Sequence, residues 1–104
     1  MNNSNNALTE AVYYILLALL SPLHGYGIMQ CTAELSGGRL LISAGTLYGA
    51  LSNLMDKGWI EQLEVVADSR RKEYQITAAG REVLEQEFAR LEELVNNGKR
   101  ILKM

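Results

Sequence analysis

The chain has 104 residues, 48% apolar and 21% charged, the size and balance of one globular domain; that speaks against both wholesale disorder and a membrane bundle. Ten Lys and Arg against twelve Asp and Glu leave a formal charge of −2, so any polyanion has to be met by a local basic patch, not by a global field. A single cysteine, Cys31, rules out an internal disulfide and with it the stapled secreted scaffold.

Residues 1–6, MNNSNN, are polar and are expected to be flexible; they carry no Lys or Arg of the kind that opens a signal peptide. The longest apolar run, Ala11–Leu20, falls short of the ~20 residues a membrane span needs, so a cytoplasmic protein without membrane contact is expected. From Ala7 to Leu20, Leu8, Val12, Ile15, Leu16 and Leu19 follow a helical period. Tyr13, Tyr14, Leu17, Ala18 and Leu20 make the other sides apolar as well, more surface than a small core can cover. A face including Val12 and Leu16 is therefore expected to meet a second copy. Ser21-Pro22 is expected to end this helix, because the residue before a proline is pushed out of helical conformation.

A second helix is predicted over His24–Leu35, with Ile28, Met29, Thr32 and Leu35 inward and Gly37-Gly38 as its stop. A third spans Ser43–Lys57, capped by Ser43 and stopped by Gly58. Its inner side is Leu47, Leu51, Leu54 and Met55; outward lie Thr46, Tyr48, Gly49, Ala50, Ser52 and Asn53, nearly all small or polar. The period then drops to two over Trp59–Val65 and Glu73–Ile76, a hairpin whose turn carries Arg70, Arg71 and Lys72. Thr77 caps a last helix, Ala78–Leu102, in which Leu84, Phe88, Leu91, Val95 and Leu102 fall on a heptad seam. Asn96-Asn97-Gly98 is expected to bend or fray it, and Glu82, Glu85, Glu87, Glu92 and Glu93 read as its solvated side.

These parts make a mainly α fold with a small β-hairpin: a winged helix-turn-helix over residues 7–77, followed by a long C-terminal dimerisation helix over residues 78–104. A major groove ~12 Å wide admits a helix whose outward residues are short, and a basic hairpin tip beside it can neutralise phosphates. Nothing points to an enzyme: His24 and Cys31 could share a helix face, but no acidic orienting residue accompanies them, and one His with one Cys makes no metal site. No cofactor is expected.

Four stretches carry a more specific signal: His24-Gly25-Tyr26-Gly27-Ile28, then Ala44-Gly45-Thr46-Leu47-Tyr48-Gly49-Ala50-Leu51, then Gly58-Trp59-Ile60-Glu61, and finally the run from Arg70 to Gly80, RRKEYQITAAG. In order and spacing they resemble the PadR family of bacterial transcriptional regulators, in its smaller form with one C-terminal helix. The resemblance implies a homodimer held by the first and last helices that represses transcription from a near-palindromic DNA operator. It places Thr46, Tyr48 and Gly49 against DNA, with the Tyr48 hydroxyl on a phosphate and Arg70, Arg71 and Lys72 as a basic wing. Ser43, Ser52 and Asn53 complete the expected DNA-binding set. The family often has a basic residue near Ser52 and Asn53, and a glycine where Ser69 stands; the first departure implies weaker electrostatic binding or a readout through Asn53. Some small members bind flat molecules in a pore between subunits, which makes Tyr13, Tyr14, Phe88 and Leu91 candidate effector contacts. The alternative to a repressor is a winged-helix protein-interaction module that does not bind DNA.

Overall fold

The computed structural model describes residues 7–63 and 72–104. Among them are four helices, α1 (Glu10–Ala18), α2 (Gly25–Leu35), α3 (Ala44–Asp56) and α4 (Ala78–Leu102), and three short strands, β1 (Leu23–His24), β2 (Ile60–Leu63) and β3 (Glu73–Ile76). No helix among the described residues is long and apolar enough to cross a membrane.

Side-chain caps set every helix start. Thr9 accepts from the Val12 N–H, His24 from Gly27, Ser43 from Thr46 and Thr77 from Gly80, each satisfying a first-turn donor that the helix itself cannot. Two ends are closed by glycines in the left-handed region. Gly37 (φ 66°) and Gly58 (φ 77°) let the next N–H groups turn back onto the last helical carbonyls, Gly38 to Ala33 at 2.7 Å and Trp59 to Leu54 at 3.1 Å.

The first helix stops at Ala18, just before Ser21-Pro22 as expected: Pro22 has no N–H to give the Ala18 carbonyl, and the next carbonyl turns to the sheet. The Leu19 carbonyl accepts the Ile76 N–H at 2.9 Å, and the Leu19 side chain is fully buried. The chain leaves the helix to meet the sheet. That sheet has three antiparallel strands in the order β1-β3-β2, one more than the predicted hairpin. Leu23 pairs with Tyr74 and His24 with Glu73, while Ile60 to Leu63 run against Ile76 to Glu73.

Ile15, Leu16, Leu19, Ile28, Leu47, Leu51, Leu54, Ile60, Tyr74 and Leu84 form one core. Leu16 (0% exposed) and Leu84 (5%) are therefore inside the protomer, which corrects their assignment to a subunit contact: both are spent in the core, where α1 packs on α2 and α4 and α4 packs on β3. Leu35, predicted to point inward, is exposed, because α2 reaches past the core at that end. The seam positions Phe88 (56%), Val95 (55%) and Leu102 (68%) do stand in solvent, joined by Leu94 and Ile101, and Leu91 is half-buried. The helix runs unbroken through Gly98.

The predicted solvated face of α4 contains an exception. Glu87 is 6% exposed; it accepts the Leu8 N–H at 3.1 Å and two guanidinium bonds from Arg90 at 2.8 and 2.7 Å. The Arg90 hydrogen bonds hold its carboxyl below the usual glutamate value against the opposing effect of burial. A carboxylate with a depressed folded-state pKa supports the fold above its unfolded value, near 4.5, and this support is lost as the pH falls through the lower folded value. Glu87→Gln should cost on the order of 1–3 kcal/mol at neutral pH and flatten the acid limb of the stability curve. Urea melts between pH 3 and 7 check this, and a limb of unchanged slope would contradict it.

Candidate nucleic-acid interface

Helix α3 is amphipathic in an unusual way: its buried side is leucine, and its outward side is almost bare. Gly45, Gly49 and Ser52 recur at spacings of four and three, all exposed, and nothing lies within 4 Å of where a Cβ on either glycine would sit. Asp56 continues the line and puts a negative charge at its far end, a position the sequence reading did not single out. At the near end, the Ser43 hydroxyl donates to the Thr46 hydroxyl at 3.0 Å while capping the helix, so these two exposed residues act as a pair.

The flanks of this strip differ. On one side Tyr48 leans from α3 across the start of α2. A Cβ on Gly25 would collide with the Tyr48 hydroxyl and lie 2.9 Å from its Cζ, so glycine here lets the Tyr48 ring lie against the start of α2, and a larger residue would displace the ring. Tyr48 is 49% exposed and lines a recess of ≈ 460 Å³ together with Lys72, from the base of the hairpin, and Tyr74 of β3. Two of the residues expected to touch phosphate, Tyr48 and Lys72, are thus brought together from distant parts of the chain. Arg70 and Arg71 lie outside the described residues.

Asn53 is about 140° round the helix from Tyr48. It lines a larger groove of ≈ 1220 Å³ between α3 and α4, with Lys57, Leu54 and Trp59. The Lys57 ammonium sits 4.9 Å from the centre of the Trp59 ring, a cation–π contact that holds the lysine on that flank. The structure therefore separates Asn53 from Tyr48, with Gly49 and Ser52 between them.

Of the candidate effector residues, Tyr13 and Tyr14 are half-buried on α1 with ring centroids 6.2 Å apart, and Phe88 and Leu91 lie on α4. None of the four lines either recess within one protomer. Tyr74 is not among the residues expected at the site; the two-residue β1, paired with it through Leu23, brings the start of α2 beside it. No group of three metal-ligating side chains occurs among the described residues.

The profile of the transcriptional regulator PadR-like family matches residues 15–86. An uncharacterized 37.1 kDa protein in a transposon of Streptomyces fradiae is 42% identical over 79 residues; the match takes in 75% of this chain but 22% of that protein, so the chain spans about a fifth of its length. A PadR family transcriptional regulator from Eggerthella lenta superposes with a TM-score of 0.67 at 26% identity, covering 89% of this chain and 81% of that one. BpsR of Bordetella bronchiseptica, whose DNA binding is regulated by 6-hydroxynicotinic acid, shares the fold (TM-score 0.72, 21% identity, covering 89% of this chain and 62% of that one).

Proposed function

The chain belongs to the PadR-like family of transcriptional regulators, which are DNA-binding regulators and not enzymes, and from that premise we propose that it is a cytoplasmic homodimeric repressor. Each protomer lays α3 in the major groove of one operator half-site, and the two half-sites are ~34 Å, or a multiple of that, apart. Residues 7–77 act as the DNA-binding unit and residues 78–104 as the dimerisation helix. The observation that carries this reading is the bare strip Gly45–Gly49–Ser52, bordered by Tyr48 and the lysine at the hairpin base: a helix with no long outward side chains can bring its backbone up to base edges while its flank holds the phosphates. The exposed Phe88, Leu94, Val95, Ile101 and Leu102 support a second copy packing along α4, since a lone protomer leaves this apolar surface in water. BpsR, whose DNA binding is regulated by 6-hydroxynicotinic acid, supplies the precedent for control by a small ligand, which Tyr13, Tyr14, Phe88 and Leu91 would meet across two subunits.

Gel shift on the promoter of its own gene, with sizing by light scattering, tests the whole reading. We expect retardation that weakens steeply with salt and a particle of twice the chain mass of 11.6 kDa. Replacing Arg70, Arg71 and Lys72 together with alanine should weaken all duplexes about equally and reduce the slope of log K against log salt by about 2.7, three phosphates at ~0.9 each. An unshifted promoter at low salt favours the protein-interaction module instead.

A further inference from the structure

The smaller recess has a chemical bias beyond its place beside α3. Among the described residues its lining includes Tyr48, Tyr74, Gln30, Lys72 and His24, and no side chain with a carboxylate. The His24 Nδ1 accepts the Gly27 N–H at 3.0 Å, which leaves its Nε2 as the free donor. The recess opens at the start of α2, an 11-residue helix whose positive end presents the first-turn N–H groups of Gly25 and Tyr26.

Tyr74 supplies the independent observation. Its side chain is only 5% exposed, on the central strand, yet its hydroxyl has no hydrogen-bond partner among the described residues. Buried hydroxyls are ordinarily paired, so this one, on a residue that lines the recess, calls for an acceptor beyond the described residues. Burial, with Tyr48 alongside, pushes the Tyr74 phenol above its ordinary value, so at neutral pH it is a donor.

We propose that this recess seats one phosphate group of the duplex backbone, with the Tyr74 hydroxyl as the donor at its floor and Tyr48, Lys72 and the α2 N-terminus around its rim. The proposal rests on the DNA-binding reading and adds a buried residue to it, one that no outward face reveals. Duplex phosphodiester and free inorganic phosphate share the chemistry, and the seat lies where a backbone flanking a groove-bound α3 would pass.

Tyr74→Phe removes the hydroxyl and keeps the ring in the core. By fluorescence anisotropy its affinity for operator and for unrelated duplex should both fall about 5–10-fold, with thermal stability unchanged or raised. A duplex with one neutral methylphosphonate at the seated position should weaken the wild type by the same factor and the variant no further. Wild-type affinity in Tyr74→Phe would overturn the proposal. Should the wild type bind no duplex at all, the DNA reading fails on its own, and inorganic phosphate decides the seat. Amide resonances of Gly25 and Tyr26 that shift on titration in the wild type but not in Tyr74→Phe keep it, and resonances that stay still in both reject it.

Discussion

Gly80→Ala is expected to lower the melting temperature by roughly 8–16 °C, although alanine is the better helix former by ~1 kcal/mol. A Cβ at this position would collide with the Trp59 carbonyl oxygen and lie 2.8 Å from its carbon and 2.9 Å from Ile76 Cγ1. That oxygen also accepts the Thr77 N–H at 2.9 Å, so it cannot swing aside as the end of a side chain would. Relief requires α4 to lift from the joint between α3 and β2. Overpacking against a fixed wall costs ~1–3 kcal/mol, and here it comes on top of a strained hydrogen bond, giving a net loss of about 2 kcal/mol. Gly98→Ala provides the control in the same helix: nothing lies within 4 Å of its Cβ position, so the propensity gain stands alone and the melting point should rise. Calorimetry on both variants separates the effects, and a rise in both would mean that α4 is not seated as described.

The second large effect is on binding, with the fold left intact. Gly49→Leu puts a branched side chain on the middle of the bare strip, where nothing lies within 4 Å of its Cβ, and adds helix propensity. The variant should therefore melt at the same temperature or higher. Its duplex affinity should nonetheless fall at least tenfold, because the side chain occupies the space a base edge would fill. Gly49→Glu adds repulsion from phosphates and should cost about a hundredfold at low salt. Circular dichroism melts and anisotropy titrations at two salt concentrations read both quantities. Wild-type affinity in the leucine variant would remove α3 from the groove.

How much of this could be seen in the sequence follows the range of the forces involved. Ser43, Gly58 and Thr77 act on backbone groups within a few residues, and they mark α3 and α4 as the residue types require. The leucines of α3 give its buried face for the same reason. The end of α1 is marked locally by Ser21-Pro22, whereas its join to the sheet through the Ile76 N–H comes from the far side of the domain and leaves no local trace. Strand β1 is two residues long, too short for any alternation to show. Glu87 sits among charged neighbours in sequence and is buried only because the chain before α1 folds back to give it the Leu8 N–H. At the interface, the outward strip of α3 was legible as a pattern of small residues. The pairing of Tyr48 with Gly25, and of both with Tyr74, was not, since three separate elements make it.

Thr77 has a mechanical consequence. Its hydroxyl donates to the Gly58 carbonyl at 2.6 Å while accepting the Gly80 N–H, so one side chain pins the tail of α3 to the head of α4. Helix α4 is 25 residues long, about 37 Å, and a swing of 5° about that pin moves its distal tip by roughly 3 Å. The arm is a lever with its fulcrum beside α3: in the proposed complex, whatever grips the tip sets the angle at which α3 is offered.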